Sequence, residues 1–384
     1  LARDRLGLRA ATYRRTDAGY VDRVDRRTGA TAARNVDDLT AIALRTSLRA
    51  ALGERVEIMP ALFYQRSERD DYSFFDSDLG PQRQAYVHRQ PAEDRFVLPS
   101  LTASIDLGAA RLTGVTAFLD RDDRQVTDYS RVFGELVLGG AVPGLVPHGG
   151  PRSVTRITQR SLTQDLRLES ADSTASFKWL MGFFFRDSEL GLTQEVVEPG
   201  ITGLVQQYFG ATVEEIFGVP LLPGGISYRG TELARGRQIA GFGELNWQFP
   251  DGLEATAGLR VARSELDLRV LSEGPYAGGA LTEPADRTQR EAPVTPRLGL
   301  SYRPSPHRLF YVSVGKGFRV GGANPPVPTA SCADDLATFG LADAPLANDA
   351  DRLWNYEAGH KAPLPRHGLD LAVSVFRIDW SGIQ

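Results

Sequence analysis

Gly315-Lys-Gly-Phe-Arg-Val-Gly321 is the segment whose residue types come nearest to a phosphate-holding motif. Glycines let backbone N–H groups approach an anion, and a lysine can neutralise it. The spacing nevertheless fits neither G-x-G-x-x-G nor the P-loop, and no helical period follows. Glycines here read as strand curvature and the start of a loop. The five histidines, His88, His148, His307, His360 and His367, show no zinc-ligand spacing. His88 and His148 fall in expected outer loops and read as solvated loop histidines, with contact to a metal chelate as the alternative. Asp70-Asp71 and Asp120-Arg-Asp-Asp123 lack the EF-hand pattern and read as solvated loop residues. Cys332 is a lone cysteine, which excludes an internal disulfide framework. No nucleophile elbow or flanking base is readable. The expectation is a protein that is not an enzyme and carries no cofactor or metal.

The dominant period along the chain is two, that of a strand. Ile42, Leu44, Leu48 and Leu52 alternate with Arg45, Ser47 and Arg49. Leu162, Leu166 and Leu168 alternate with Thr163, Asp165, Arg167 and Glu169. Phe177, Trp179, Met181, Phe183 and Phe185 share one face, as do Leu253, Ala255, Ala257, Leu259 and Val261, with Arg260 opposite. Val294, Leu298, Leu300 and Tyr302 oppose Thr295, Arg297 and Ser301. Counted this way the chain holds about thirteen strands of roughly 10–16 residues, beyond the ~5–6 usual in a soluble sheet.

Connections alternate between short and long. Short ones lie at Gly53, Gly108, Asp172–Ser173, Pro250–Gly252, Pro304–Pro306 and Pro363–Gly368; long ones are 16–36, 67–93, 123–153, 189–230, 265–290 and 319–350. A transmembrane barrel has short periplasmic turns and long outer loops, whereas a soluble sandwich has no reason to gather its long loops at one end. Charges within strands are costly in a dry core but not against a wet or plugged lumen. Arg45, Arg49, Asp165, Arg167, Glu169, Arg260, Arg297, Glu357 and Lys361 are therefore expected to face the lumen and contact a plug. Leu44, Leu48, Leu166, Phe183 and Leu259 are expected to face lipid. Trp179, Trp247, Phe249, Tyr302, Phe310, Trp354, Tyr356 and Trp380 suit interfacial girdles. With 44 basic and 48 acidic residues, net charge −4, no nucleic-acid surface is expected.

Four segments resemble TonB-dependent outer-membrane receptors. Leu309-Phe-Tyr-Val-Ser-Val-Gly-Lys-Gly-Phe-Arg-Val-Gly-Gly-Ala-Asn324 is similar to that family's YxSYSKGFKxGGFN passage. Trp354-Asn-Tyr-Glu-Ala-Gly-His-Lys361, followed by Phe376-Arg-Ile-Asp-Trp-Ser-Gly-Ile-Gln384, is similar to NYELGxK and AxFYxDYxDIQ. Gln159–Ser170 is similar to TQELRL, and Gly241–Asn246 with Thr256–Val261 to FGE and GLR passages. His360 departs from the pattern, standing where a small or apolar residue is usual.

The resemblance implies an antiparallel transmembrane β-barrel, of which residues 1–384 would be an incomplete, open portion, about 13 of about 22 strands. An N-terminal plug with its TonB box would precede Leu1, and further strands would follow Gln384. It implies a receptor in the bacterial outer membrane that binds a scarce solute, a ferric siderophore or similar chelate, and imports it with energy from the TonB complex. A passive porin and a soluble all-β binding protein are the alternatives. Recognition is expected in the long loops, at Tyr208, Phe209, Phe217 and Tyr228 in one and Arg319, Asn324 and Phe339 in another. Aromatic and arginine side chains offer contact area and planar hydrogen bonding to a bulky anion.

Overall fold

The computed structural model describes residues 5–383 apart from 27, 131–149, 278–284, 325–331, 343, 346 and 365–367. His148 and His367 thus lie outside the described residues. The strands in chain order are β1 (Leu6–Asp17), β2 (Asp22–Val24), β3 (Thr31–Ala33), β4 (Leu39–Leu52), β5 (Val56–Arg69), β6 (Arg83–Gln84), β7 (Ala92–Asp106), β8 (Ala110–Asp128), β9 (Arg152–Ser170) and β10 (Phe177–Val197). There follow β11 (Ile226–Gln248), β12 (Leu253–Glu273), β13 (Ala285–Glu291), β14 (Val294–Ser305), β15 (Arg308–Arg319), β16 (Gly322–Ala323), β17 (Ala347–Asn348), β18 (Asp351–Leu364) and β19 (Leu369–Ser381).

One sheet dominates, in the order β1-β4-β5-β7-β8-β9-β10-β11-β12-β14-β15-β18-β19, every neighbour antiparallel. This is a meander of thirteen strands, with β13 pairing the upper part of β12. β13 and β14 hold one register on β12, and Pro293, which has no N–H to donate, separates them while its carbonyl accepts from Ala262 N at 3.0 Å. The sheet is open: β1 and β19 each have a neighbour on one side only. Among the described residues no helix is long and apolar enough to cross a membrane.

Cross-strand partners lie on the same face, so the register sorts every side chain. One apolar row runs Leu112, Leu168, Met181, Gly243, Leu259, Pro296 across six strands. Leu44, Leu48, Leu166, Phe183 and Leu259 share this face, and Arg45, Arg49, Arg167 and Arg260 the opposite one. On β10 the apolar stretch runs from Phe177 to Phe185, matching the ~9–11 residues a tilted strand needs to cross the hydrocarbon core. Aromatics cluster near the short turns: Trp247 stacks on Phe249 at 5.0 Å, and Phe310 on His360 at 4.2 Å. The departure at His360 is thus met by a flat ring stacked like its aromatic neighbours.

The strands outrun the belt. β10 and β11 have 21 and 23 residues, so the connection expected over 189–230 shrinks to 198–225, and that over 265–290 begins after Glu273. Above the belt the same outward positions carry opposite charges on adjacent strands. Asp187 meets Arg237 at 3.0 Å, Glu189 meets Arg235 at 2.9 Å, Asp120 meets Arg160 at 3.3 Å, and Glu265 meets Arg290 at 2.9 Å. Each exposed pair adds little, because water screens it. Together they let the ladder continue in water without apolar alternation.

Short connections are true turns. Gly108 sits at φ 87°, where a Cβ is strained, and its N–H donates to Asp106 Oδ1 at 2.8 Å.

Candidate functional site

The polar face is built from rows of the same register. Arg167, Gly182, Phe242, Arg260 and Thr295 follow one another across β9, β10, β11, β12 and β14. Gly182 is required: the Phe242 ring lies where a Cβ would stand. Lying flat there, Phe242 is flanked by the guanidiniums of Arg167 at 5.9 Å and Arg260 at 5.7 Å, and Arg260 also covers Phe184 at 4.9 Å. Asp165 holds Arg167 through two bonds, 2.6 and 3.1 Å. Arg260 donates to Gln238 Oε1 at 3.0 Å and has no carboxylate partner among the described residues. A small cavity of about 230 Å³ lies beside it, lined by Phe184, Arg186, Gln238, Ser264, Leu266 and Val320.

The remaining inner-wall candidates form separate groups. Arg49 Nε donates to Glu57 Oε2 at 2.8 Å, while Arg45 has no carboxylate partner among the described residues and stands opposite Phe63. Glu169 stands opposite Arg111. Arg297 approaches Glu244 at 4.0 Å. Glu357 accepts from Tyr311 Oη at 2.5 Å, and the Tyr311 ring occupies the space above Gly359, as Phe242 does above Gly182.

The outer end carries a crown of connections tied by polar groups. β2, β3 and β6 form a small sheet joining the segment after β1 to the one after β5. Asp37 Oδ1 accepts from Tyr20 N and Val21 N at 2.7 and 2.8 Å. Fully buried Asp71 is ion-paired to Arg23 and accepts from Gln90 Nε2 at 3.2 Å. Gln90 Oε1 takes the Asp128 N–H at 2.9 Å, Asp128 takes the His88 N–H at 2.7 Å, and His88 Nε2 donates to the Gly150 carbonyl at 2.5 Å. His88 thereby ties loops together, and that ring nitrogen is occupied. Among the described residues no group of His, Cys, Asp or Glu is arranged to hold a metal ion.

The segment 198–225 folds into two short helices, Ile201–Phe209 and Val213–Phe217, the second opened by a capping box between Thr212 and Glu215. Ile201, Val205 and Val213 form a small core with Phe217, Leu221 and Tyr276. At its base lies buried Glu198, which accepts from Tyr276 Oη at 2.5 Å through Oε2, while Oε1 has no hydrogen-bond partner among the described residues. Burial outweighs the hydrogen bond and pushes the Glu198 carboxyl up to about 7.

The seven loop candidates part company here. Tyr208, Phe209 and Phe339 are exposed. Phe217 packs edge-on against Tyr276 at 5.6 Å, inside the crown. Asn324 Nδ2 donates to the Pro345 carbonyl at 2.8 Å, and Arg319 is ion-paired with buried Asp351 at 2.6 Å at the end of β15. Tyr228 corrects the expectation of a loop residue: it lies within β11, its hydroxyl 3.4 Å from Ser272 Oγ, because the paired ladder continues above the belt. Sequence reasoning passed over Phe74 and Phe75, exposed at a crown tip, with Tyr72 stacked on Phe74 at 5.3 Å and Arg69 4.2 Å over Tyr72. The aromatic run Tyr72-Ser-Phe-Phe75 in a polar stretch was the available signal.

A family model described as TonB dependent receptor-like, beta-barrel, matches residues 2–384. Among solved structures, the chain is similar to the ferric yersiniabactin uptake receptor FyuA from Yersinia pestis, with TM-score 0.74, 12% identity, and coverage of 100% of this chain and 51% of that one. It is similar to the siderophore receptor PiuA from Acinetobacter baumannii, with TM-score 0.61, 14% identity, and coverage of 98% and 53%. The ferric-catecholate import receptor Fiu from E. coli K12 gives TM-score 0.59 at 11% identity, with coverage of 100% and 56%. The chain spans about half the length of these structures.

Proposed function

The chain belongs to the TonB-dependent receptor-like β-barrel family of the bacterial outer membrane, and from that premise we propose that it forms part of the wall of an active importer for an anionic chelate, a ferric siderophore or similar solute. The observation that carries the reading is the charge of the polar face. Arg45, Arg186, Arg260 and Lys361 point to that face with no carboxylate within ion-pairing distance among the described residues. Unpaired cationic groups on that face favour an anionic solute, or acidic groups on a plug, over a neutral one. We propose that strands beyond β19 and a plug with a TonB box complete the protein, and that the TonB complex supplies the energy. Structures similar in fold carry uptake and import in their names, for ferric yersiniabactin and ferric catecholate.

The test is uptake by cells expressing the full-length protein, with radiolabelled ferric chelates competed by cobalamin, haem and glycans. Accumulation of an iron chelate that stops when TonB is deleted supports the proposal. Accumulation that continues without TonB identifies a passive channel instead.

A further inference from the structure

The outward rim is cross-paired over β8 to β13 at Arg160, Arg235, Arg237 and Arg290, each meeting a carboxylate on the adjacent strand. Over β15 to β19 it is not. Lys316 and Trp354 are cross-strand partners, and Trp354 is partnered in turn by Asp379; Tyr356 is partnered by Arg377, and Arg352 by Phe318 and Ser381, so all these side chains share the outward face. Asp379 pairs with Arg377 at 2.8 Å, whereas Lys316 and Arg352 have no carboxylate partner among the described residues. The Lys316 ammonium instead sits 5.9 Å from the Trp354 ring, which stacks on Tyr356 at 6.3 Å. Lys316 and Arg377 are each the ninth residue of their strand counted from the periplasmic turn. A tilted strand crosses hydrocarbon in ~9–11 residues, so this cluster stands at the outer-leaflet boundary.

Directly beneath it the apolar face is grooved. Ala255, Ala257 and Ala358 leave a trough of about 900 Å³ between the larger Trp247, Leu298 and Tyr356, with Arg377 also in its lining. A trough with almost no polar lining cannot hold ordered water. In the membrane a hydrocarbon chain fills it. Three cations and two aromatic rings around one carboxylate leave a net positive charge where that chain's headgroup must lie.

We propose that this face is a binding site for one outer-leaflet lipid with a phosphorylated headgroup, an acyl chain in the trough and the phosphate on Lys316, Arg352 and Arg377. Two features meet here: outward cations without a carboxylate partner among the described residues, and an apolar trough with Arg377 in its lining. The site is independent of the cargo proposal, because it lies on the opposite face of the sheet.

The experiment is native mass spectrometry of the delipidated full-length protein, titrated with lipid A (an acylated disaccharide bisphosphate), its dephosphorylated form and inorganic phosphate. A one-to-one adduct with lipid A is expected, with binding of the dephosphorylated form at least roughly tenfold weaker. Lys316→Gln, Arg352→Gln and Arg377→Gln combined should weaken lipid A about a hundredfold. Ala257→Phe, which fills the trough and leaves the cations untouched, should weaken it as well. Unchanged heat-modifiable mobility shows that both variants are folded. Equal binding by parent and both variants, or full displacement of lipid A by inorganic phosphate, overturns the site.

Discussion

Glu198 is a carboxyl whose protonation and packing are linked. Closed beneath the helical cap it titrates near 7; with the cap open it would return towards its ordinary 4.5. The closed cap therefore binds the proton more tightly. Its stability is highest below about 4.5, falls as pH rises towards about 7, and is flat above that, a difference of about 3 kcal/mol at most. Hydrogen exchange of residues 201–217, corrected for intrinsic rates, should be slower at pH 5 than at pH 8. Glu198→Gln, neutral at both, should remove the difference; a difference that persists in the variant would assign the pH response elsewhere. None of this was legible in the sequence. Glu198 stands beside Pro199 in a stretch without periodicity, and only the fold brings Tyr276 to it across 78 residues. That Arg167 and Arg260 lie on the face opposite Leu166 and Leu259 was legible, because they sit one step out of phase with them. Their shared ring was not, since Phe242 reads as one more strand aromatic until Gly182 is seen beneath it.

At the scale of the strand, period-two alternation reveals the membrane belt and little else. Where the outward positions turn from leucine and phenylalanine to aspartate and arginine, the pattern looks like a loop, and the pairing of Asp187 with Arg237 is visible only across strands. This is why the upper parts of β10, β11 and β12 look like connections in the sequence, and Tyr228 like a loop residue. The boundary itself is testable. Leu166 lies well within the belt of β9, opposite Phe183, and Leu166→Arg should cost ~2–4 kcal/mol. Leu162 lies four residues nearer the rim, opposite Asp187, and Leu162→Arg should cost less than about 1 kcal/mol, since Arg there gains a carboxylate neighbour. Urea unfolding of both variants of the full-length protein in liposomes measures the two costs. Equal costs would move the belt edge outward.

The whole sheet is an unfinished ring. All of β1 except Asp17, and every residue of β19, has an exposed side chain, and Phe376, Ile378 and Trp380 offer an apolar stripe on the face that is polar elsewhere. Unpaired edges of this length associate with other strands. The 384-residue chain expressed alone should fail to migrate as a compact heat-modifiable species in cold electrophoresis, and a discrete folded band would contradict that. In the full-length protein, deletion of 200–226 removes the capping helices but no rung of the membrane-spanning ladder. Insertion should survive and chelate uptake should fall to background; normal uptake would dismiss this cap from recognition while leaving the barrel intact.

The polar chain from Arg23 through Asp71, Gln90, Asp128 and His88 to Gly150 ties three outer connections to one another. Segments so tied have already lost most of their conformational freedom before any solute arrives. A molecule landing on Phe74 and Phe75 would meet a surface whose ordering cost was met during folding. Capture on that side of the mouth should therefore resemble docking onto a rigid body, with fast arrival and little change in heat capacity beyond the apolar area covered. Cutting one tie, as in Asp128→Ala, would leave every contacting side chain in place and still slow capture, by returning that freedom to the loops.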